Sequence, residues 1–115
     1  KFLKGLWKSE KENGTNHKDD SKVLYNIDFS NSDLSGQDLS DFTFINCKFY
    51  RTKLSGVNFT NAKLFKADFR YADLSGADFR YAKLSGADLY RANLSGAYLY
   101  RAYLLEADLR YAVLT

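Results

Sequence analysis

The sequence predicts an all-β solenoid, a chain wound into short stacked coils, and three observations carry that reading. Leu or Phe stands at every fifth position from Leu24 to Leu114, nineteen times without a slip of phase. A second row lies two residues earlier and is Ala at all eleven positions from Ala62 to Ala112. Between the rows sits a mostly polar residue, such as Asp68, Asp73, Asp78, Lys83, Asp88 or Asn93. Five matches neither the period of a helix nor that of a strand. A small–polar–large triplet suits a short extended piece whose outer two side chains point inward, and the next two residues turn a corner. Repetition stacks such pieces by backbone hydrogen bonding.

Pentads such as Ala67-Asp68-Phe69-Arg70-Tyr71 and Ala87-Asp88-Leu89-Tyr90-Arg91 resemble the A-(D/N)-L-x-x pattern of the pentapeptide-repeat family, over about residues 24–115. The resemblance implies a right-handed quadrilateral β-helix with four pentads per coil. Nineteen pentads then give about 4.75 coils, a stack ~23 Å long. Residues twenty apart become vertical neighbours. One inward column is all Leu (Leu34, Leu54, Leu74, Leu94, Leu114), and others stack Phe29 on Phe49 and Phe69, or Phe59 on Phe79. The small row departs from Ala at Ile27, Ser32, Gln37, Phe42, Cys47, Thr52 and Val57, which implies a wider or irregular start. Cys47 falls in this inward row and reads as a small buried hydrophobe, not a nucleophile.

Residues 1–23 lie outside the repeat. Phe2, Leu3, Leu6 and Trp7 share one helical face between Lys1, Lys4 and Lys8, and the polar stretch from Ser9 to Lys22 reads as a loop. A cap over the solenoid end or a docking segment is the favoured role; contact with a membrane surface is the alternative.

Composition narrows the function. The 115 residues carry a formal charge of +3, with one His, one Cys and no Pro. One His and one Cys exclude most metal and general-base constellations. No nucleophile–base pair, metal cluster or phosphate loop is present, so the sequence predicts no catalytic, metal or cofactor site. Within 24–115, eleven Lys and Arg face ten Asp and Glu. That balance argues against nucleic-acid binding, which needs uncompensated cations. It argues equally against the best-known role that the resemblance brings, protection of DNA gyrase by mimicry of an acidic duplex. A non-catalytic protein-interaction or scaffold module remains. The resemblance also implies a bacterial, often cyanobacterial, setting. The cytoplasm is the expected compartment, with the thylakoid lumen or a membrane surface as alternatives.

Outward residues then nominate surfaces. Ser35-Gly36, Ser55-Gly56, Ser75-Gly76 and Ser95-Gly96 read as corners that need glycine's positive φ, whereas Tyr71, Arg91 and Tyr111 are expected in type I-like corners without it. Tyr50, Arg70, Tyr90 and Arg110 alternate in one column, Arg51, Tyr71, Arg91 and Tyr111 in the next, and Arg80, Tyr81, Tyr100 and Arg101 repeat the rule across the solenoid. Each arginine is expected to lie over a tyrosine one coil away, a ladder that stabilises stacking. Ile45 and Phe65 form an apolar strip with Tyr25, Leu105 and nearby Tyr103, to be covered either by the N-terminal segment or by a partner. Tyr98 and Tyr103 replace the usual Asp or Asn near the last coil. Together with Leu104 and Leu109 they predict association through 98–115, with a second copy or another protein.

Overall fold

The structure, a computed structural model, describes residues 22–115. Residues 1–21, with the expected cap or membrane contact, lie outside the described residues. Two three-residue strands, β1 (Val23–Tyr25) and β2 (Thr43–Ile45), pair in parallel with Val23 opposite Thr43 and Tyr25 opposite Ile45. The same offset of twenty then continues through single-residue parallel bridges down to Asn93 and Val113. The chain is a right-handed quadrilateral β-helix.

Its four faces are named here by their outward residues. Face A carries Asp33, Lys53, Asp73, Asn93 and Val113; face B carries Asp38, Asn58, Asp78 and Tyr98. Face C carries Thr43, Lys63, Lys83 and Tyr103; face D carries Asp28, Lys48, Asp68, Asp88 and Asp108. The Leu/Phe row is buried from Leu24 through Leu94. In the small row Ala62 to Ala92 are buried too, as are Phe42, Cys47, Thr52 and Val57, while Ile27, Ser32 and Gln37 are only half-buried. Thr52 fits this interior because its hydroxyl donates to the Phe29 carbonyl at 3.0 Å. Phenylalanines stack within columns: Phe29 on Phe49 at 5.1 Å, Phe49 on Phe69 at 4.9 Å and Phe59 on Phe79 at 5.3 Å. Between columns they meet edge to face. Each such ring contributes roughly 1.5–3 kcal/mol by burial, and each good pair about 1 kcal/mol more.

The corners correct the glycine expectation. Every fifth residue from Asn26 to Tyr111 has positive φ, whatever its type: Gly76 stands at 67°, and Tyr71, Arg91 and Tyr111 at 61°, 56° and 61°. Except at the Asn26 and Asn46 corners, the amide closing the turn bonds three residues back, as Ala72 does to the Phe69 carbonyl at 3.0 Å. Positive φ at only the third residue of such a turn is type II, so glycine and non-glycine corners with that bond share one geometry. A left-handed tyrosine costs about 1–2 kcal/mol. Stacking offsets it, since the Tyr71 amide itself donates to the Tyr90 carbonyl of the next coil at 3.0 Å.

The outward Asp and Asn also have a local task. Asp68 accepts from the Arg70 amide at 3.1 Å, Asp73 from Ser75 at 3.1 Å and Asn93 from Ser95 at 3.0 Å. The first corner amide points away from the ladder, and a carboxylate or amide oxygen two residues earlier satisfies it.

Candidate interaction surfaces

The corner joining faces D and A holds the Arg/Tyr ladder. Arg70 lies over Tyr50 one coil away, 5.0 Å from the ring centre, and Arg110 over Tyr90 at 5.4 Å. Arg51 lies between Tyr50 and Tyr71 at 5.5 and 5.1 Å, and Arg91 between Tyr90 and Tyr111 at 5.7 and 5.1 Å. Tyrosine–tyrosine contacts, invisible to the column reading, complete it. Tyr50, Tyr71, Tyr90 and Tyr111 form one edge-to-face chain with centres 5.7–5.9 Å apart.

Across the solenoid the expected pairing needs correction. Arg101 lies over its neighbour Tyr100 at 5.5 Å and donates to the Tyr100 hydroxyl, not to Tyr81 one coil away. Arg80 reaches Tyr98 rather than Tyr100. Tyr81 and Tyr100 instead meet edge to face at 5.8 Å. The reason is local: the Arg80 guanidinium is held by its own Asp78, at 2.9 and 2.6 Å, which fixes the direction in which it extends.

Carboxylates hold two more of the ladder's arginines in the same way. Arg70 grips both Asp68 oxygens at 2.8 Å and stands 4.0 Å from Asp88, and Arg110 grips Asp108 at 2.9 and 2.8 Å. Burial pushes the Asp68 carboxyl up, yet hydrogen bonding and the charge of Arg70 outweigh it and leave the group below its usual value. Hydrogen bonds from Arg80 and Arg110 lower Asp78 and Asp108. Aspartates thus neutralise Arg70 and Arg110, while Arg51 and Arg91 meet tyrosines alone among the described residues.

Face C and the corner leading to face D differ. Ile45 and Phe65 are 43% and 47% exposed, although an outward position there is free to be polar. With Thr43, Phe44, Asn46 and Lys66 they line a groove of about 420 Å³. Tyr25 tops the same column, and Leu105 stands lower in it. Lys63, Lys66 and Lys83 surround the strip, and among the described residues no carboxylate lies within ion-pair distance of them. Lys83 lies over Tyr103 at 4.6 Å. A second, polar groove of about 280 Å³ opens between Tyr81, Lys83, Arg101 and Tyr103. The sequence reading found Ile45 and Phe65 but missed the lysines around them. Reading face C at a spacing of twenty, where no Asp or Asn occurs, is the signal that would have found them.

Tyr98 and Tyr103 are 59% and 58% exposed, outward as expected. Leu104 and Leu109 point inward and are half-buried against the core. Among the described residues there is no group of three or more His, Cys, Asp or Glu arranged to hold a metal ion, and no helix long and apolar enough to cross a membrane.

Comparisons with known proteins agree with this architecture. The family model for pentapeptide repeats matches in eight copies, over residues 27–64, 58–96 and 87–115. A pentapeptide repeat protein (Rfr23) from the cyanobacterium Cyanothece 51142 is 30% identical, with a TM-score of 0.78 over 81% of this chain and 64% of its own. AT2G44920, from the Arabidopsis thaliana thylakoid lumen, is 34% identical, with a TM-score of 0.75 over 78% and 63%. HetL, involved in heterocyst differentiation regulation in the cyanobacterium Nostoc sp. strain PCC 7120, is 32% identical, with a TM-score of 0.70 over 80% and 46%. The chain thus spans less than two thirds of the length of each. No curated protein matches it. The unbroken five-residue register, the four-sided stack and the matched repeats have one reading: the chain belongs to the pentapeptide-repeat family.

Proposed function

We propose that this chain is a non-catalytic protein–protein interaction or scaffold module whose partner engages the strip between faces C and D. The observation that carries the reading is the exposure of Ile45 and Phe65 beside a groove, on a fold where most outward residues have a local reason to be there. Asp and Asn satisfy corner amides, Gly relieves corner strain, and Arg and Tyr hold one another. Ile45 and Phe65 do none of these things. Isolated apolar side chains at a surface are ordinary, but a contiguous pair flanking a concave groove marks a binding site.

The alternative role, regulating a DNA topoisomerase by duplex mimicry, requires a continuous acidic face. Face D comes nearest with Asp68, Asp88 and Asp108, and Arg70 and Arg110 neutralise it. The relative involved in heterocyst differentiation regulation supports a regulatory use of the fold.

The test is affinity capture from the source organism with three immobilised forms: the unaltered chain, an Ile45→Ser/Phe65→Ser variant and an Arg51→Ala/Arg91→Ala variant. The reading predicts a discrete set of proteins kept by the first and third and lost by the second. Equal capture by all three, or none by any, overturns it.

A further inference from the structure

We infer that the partner segment for the face C strip is acidic and apolar together: an extended peptide carrying carboxylates on either side of one hydrophobic side chain. The inference rests on the interaction reading above and names the chemistry of the partner. Four observations support it. Among the described residues, face C is the one face whose outward column contains no carboxylate, with Thr43, Lys63, Lys83 and Tyr103 in register. Lys63 and Lys83 are bridge partners, so two lysines stand as cross-strand neighbours, where like charges repel. Face D contains the mirror situation, Asp68 opposite Asp88, and there Arg70 touches both. No carboxylate among the described residues does the same for Lys63 and Lys83; Lys83 meets only the Tyr103 ring, at 4.6 Å.

The second support is backbone chemistry. The amides of Phe65, Ser85 and Leu105 follow Lys63, Lys83 and Tyr103, so they lack the Asp or Asn acceptor that serves most corresponding amides of the other faces, where Lys48, Lys53, Tyr98 and Val113 are the exceptions. Among the described residues the strip therefore presents ammonium and amide donors and no carboxylate around an apolar groove whose polar lining is Thr43, Asn46 and Lys66. Third, the groove of about 420 Å³ between Ile45 and Phe65, floored by Phe44, accepts an aliphatic or aromatic side chain. Fourth, an extended peptide places residues two apart on one side, roughly 7 Å from each other, which brings flanking carboxylates to the lysines while the central side chain enters the groove. A bilayer surface favours a protruding apolar ridge rather than a groove, and three lysines are few for a phosphate backbone.

The experiment measures fluorescence anisotropy of a labelled extended peptide, a central leucine flanked two residues away on each side by aspartates, against the full 115-residue chain. The expected result is binding that weakens as salt rises and falls about tenfold in Lys63→Glu/Lys83→Glu, where two exposed charge contacts become repulsive. Phe65→Ser should also lose it, and Arg51→Ala/Arg91→Ala should leave it unchanged. Circular dichroism checks that each variant is folded. A lysine-flanked peptide binding equally well overturns the inference, as does indifference to Lys63→Glu/Lys83→Glu. Preferential binding to phosphatidylserine vesicles or to a single-stranded oligonucleotide overturns it too. If the aspartate peptide fails while captured proteins still depend on Ile45 and Phe65, the interaction reading stands and only the partner's chemistry is wrong. If both fail, both readings fall.

Discussion

Faces C and D have the same backbone and opposite economies of charge. On face D, Asp68, Asp88 and Asp108 stack directly above one another, and Arg70 and Arg110 reach back to hold them, with tyrosines filling the spaces between guanidinium groups. On face C, Lys63 stacks on Lys83 with no carboxylate beside either among the described residues, and the next corner exposes Ile45 and Phe65. The β-helix forces both columns into like-charge contact, because residues twenty apart must be neighbours. What differs is whether the neighbouring pentads answer the charge. On the proposed reading a partner supplies that answer on face C, and the more conspicuous residues are not the binding ones. The Arg/Tyr checkerboard is the more conspicuous surface and the more self-sufficient one.

Both faces rest on one interior, and the largest effect lies there. Phe69→Ala removes a ring stacked on Phe49 at 4.9 Å and in edge contact with Phe59 and Phe79, and should cost about 3–5 kcal/mol in denaturant unfolding. A smaller loss would show that the columns repack freely, and neither face would then have a fixed geometry to compare.

Asp68→Ala comes next. It takes the acceptor from the Arg70 amide and releases the Arg70 guanidinium, which is half-exposed and therefore adds little of its own; the total should be about 1 kcal/mol. Acid should reproduce the effect across the molecule. Asp28, Asp33, Asp68, Asp78 and Asp108 all sit below their ordinary value when folded. Their contribution is present above the unfolded carboxylate value of about 3.9 and disappears as pH falls through the lower folded values. The melting temperature should stay level from neutrality down to roughly pH 5 and drop below about pH 4, and Asp68→Asn should blunt the drop. A chain equally stable at all these values would deny that the outward aspartates matter.

At the next scale, Gly76→Ala sharpens the account of the corners. A Cβ there would meet nothing nearer than the Gly56 amide at 4.0 Å, so only the left-handed conformation is penalised, by about 1 kcal/mol. Lys63→Ala should change stability least of all, by a few tenths of a kcal/mol in either direction, because it removes a repulsion from one side and a little packing from the other. A large loss would mean that Lys63 is structural and would remove the contrast between the faces.

Much of this was legible in the sequence, and the exceptions have physical causes. The inward rows could be read because burial at Leu54 or Leu74 depends only on phase. The faces followed once the resemblance supplied four pentads per coil. The corners were misread because residue type reports local preference, whereas positive φ at Tyr71 and Arg91 is imposed by closure of the coil and held by hydrogen bonds to the next one. Arg80 and Arg101 were assigned to the wrong tyrosines because vertical spacing was considered without the aspartate two residues earlier, or the tyrosine one residue earlier, that each arginine meets first. Ile45 and Phe65 stood out as apolar residues, but the unanswered lysines beside them emerge only when charges are compared face by face.

The most direct test of the contrast between the faces is an amide NMR titration of the chain with the aspartate-flanked peptide. The account predicts shifts concentrated at Ile45, Asn46, Lys63, Phe65, Lys66 and Ser85, with the corner from Tyr50 to Tyr111 unmoved. Shifts centred on that Arg/Tyr corner, or spread evenly over all four faces, would contradict it.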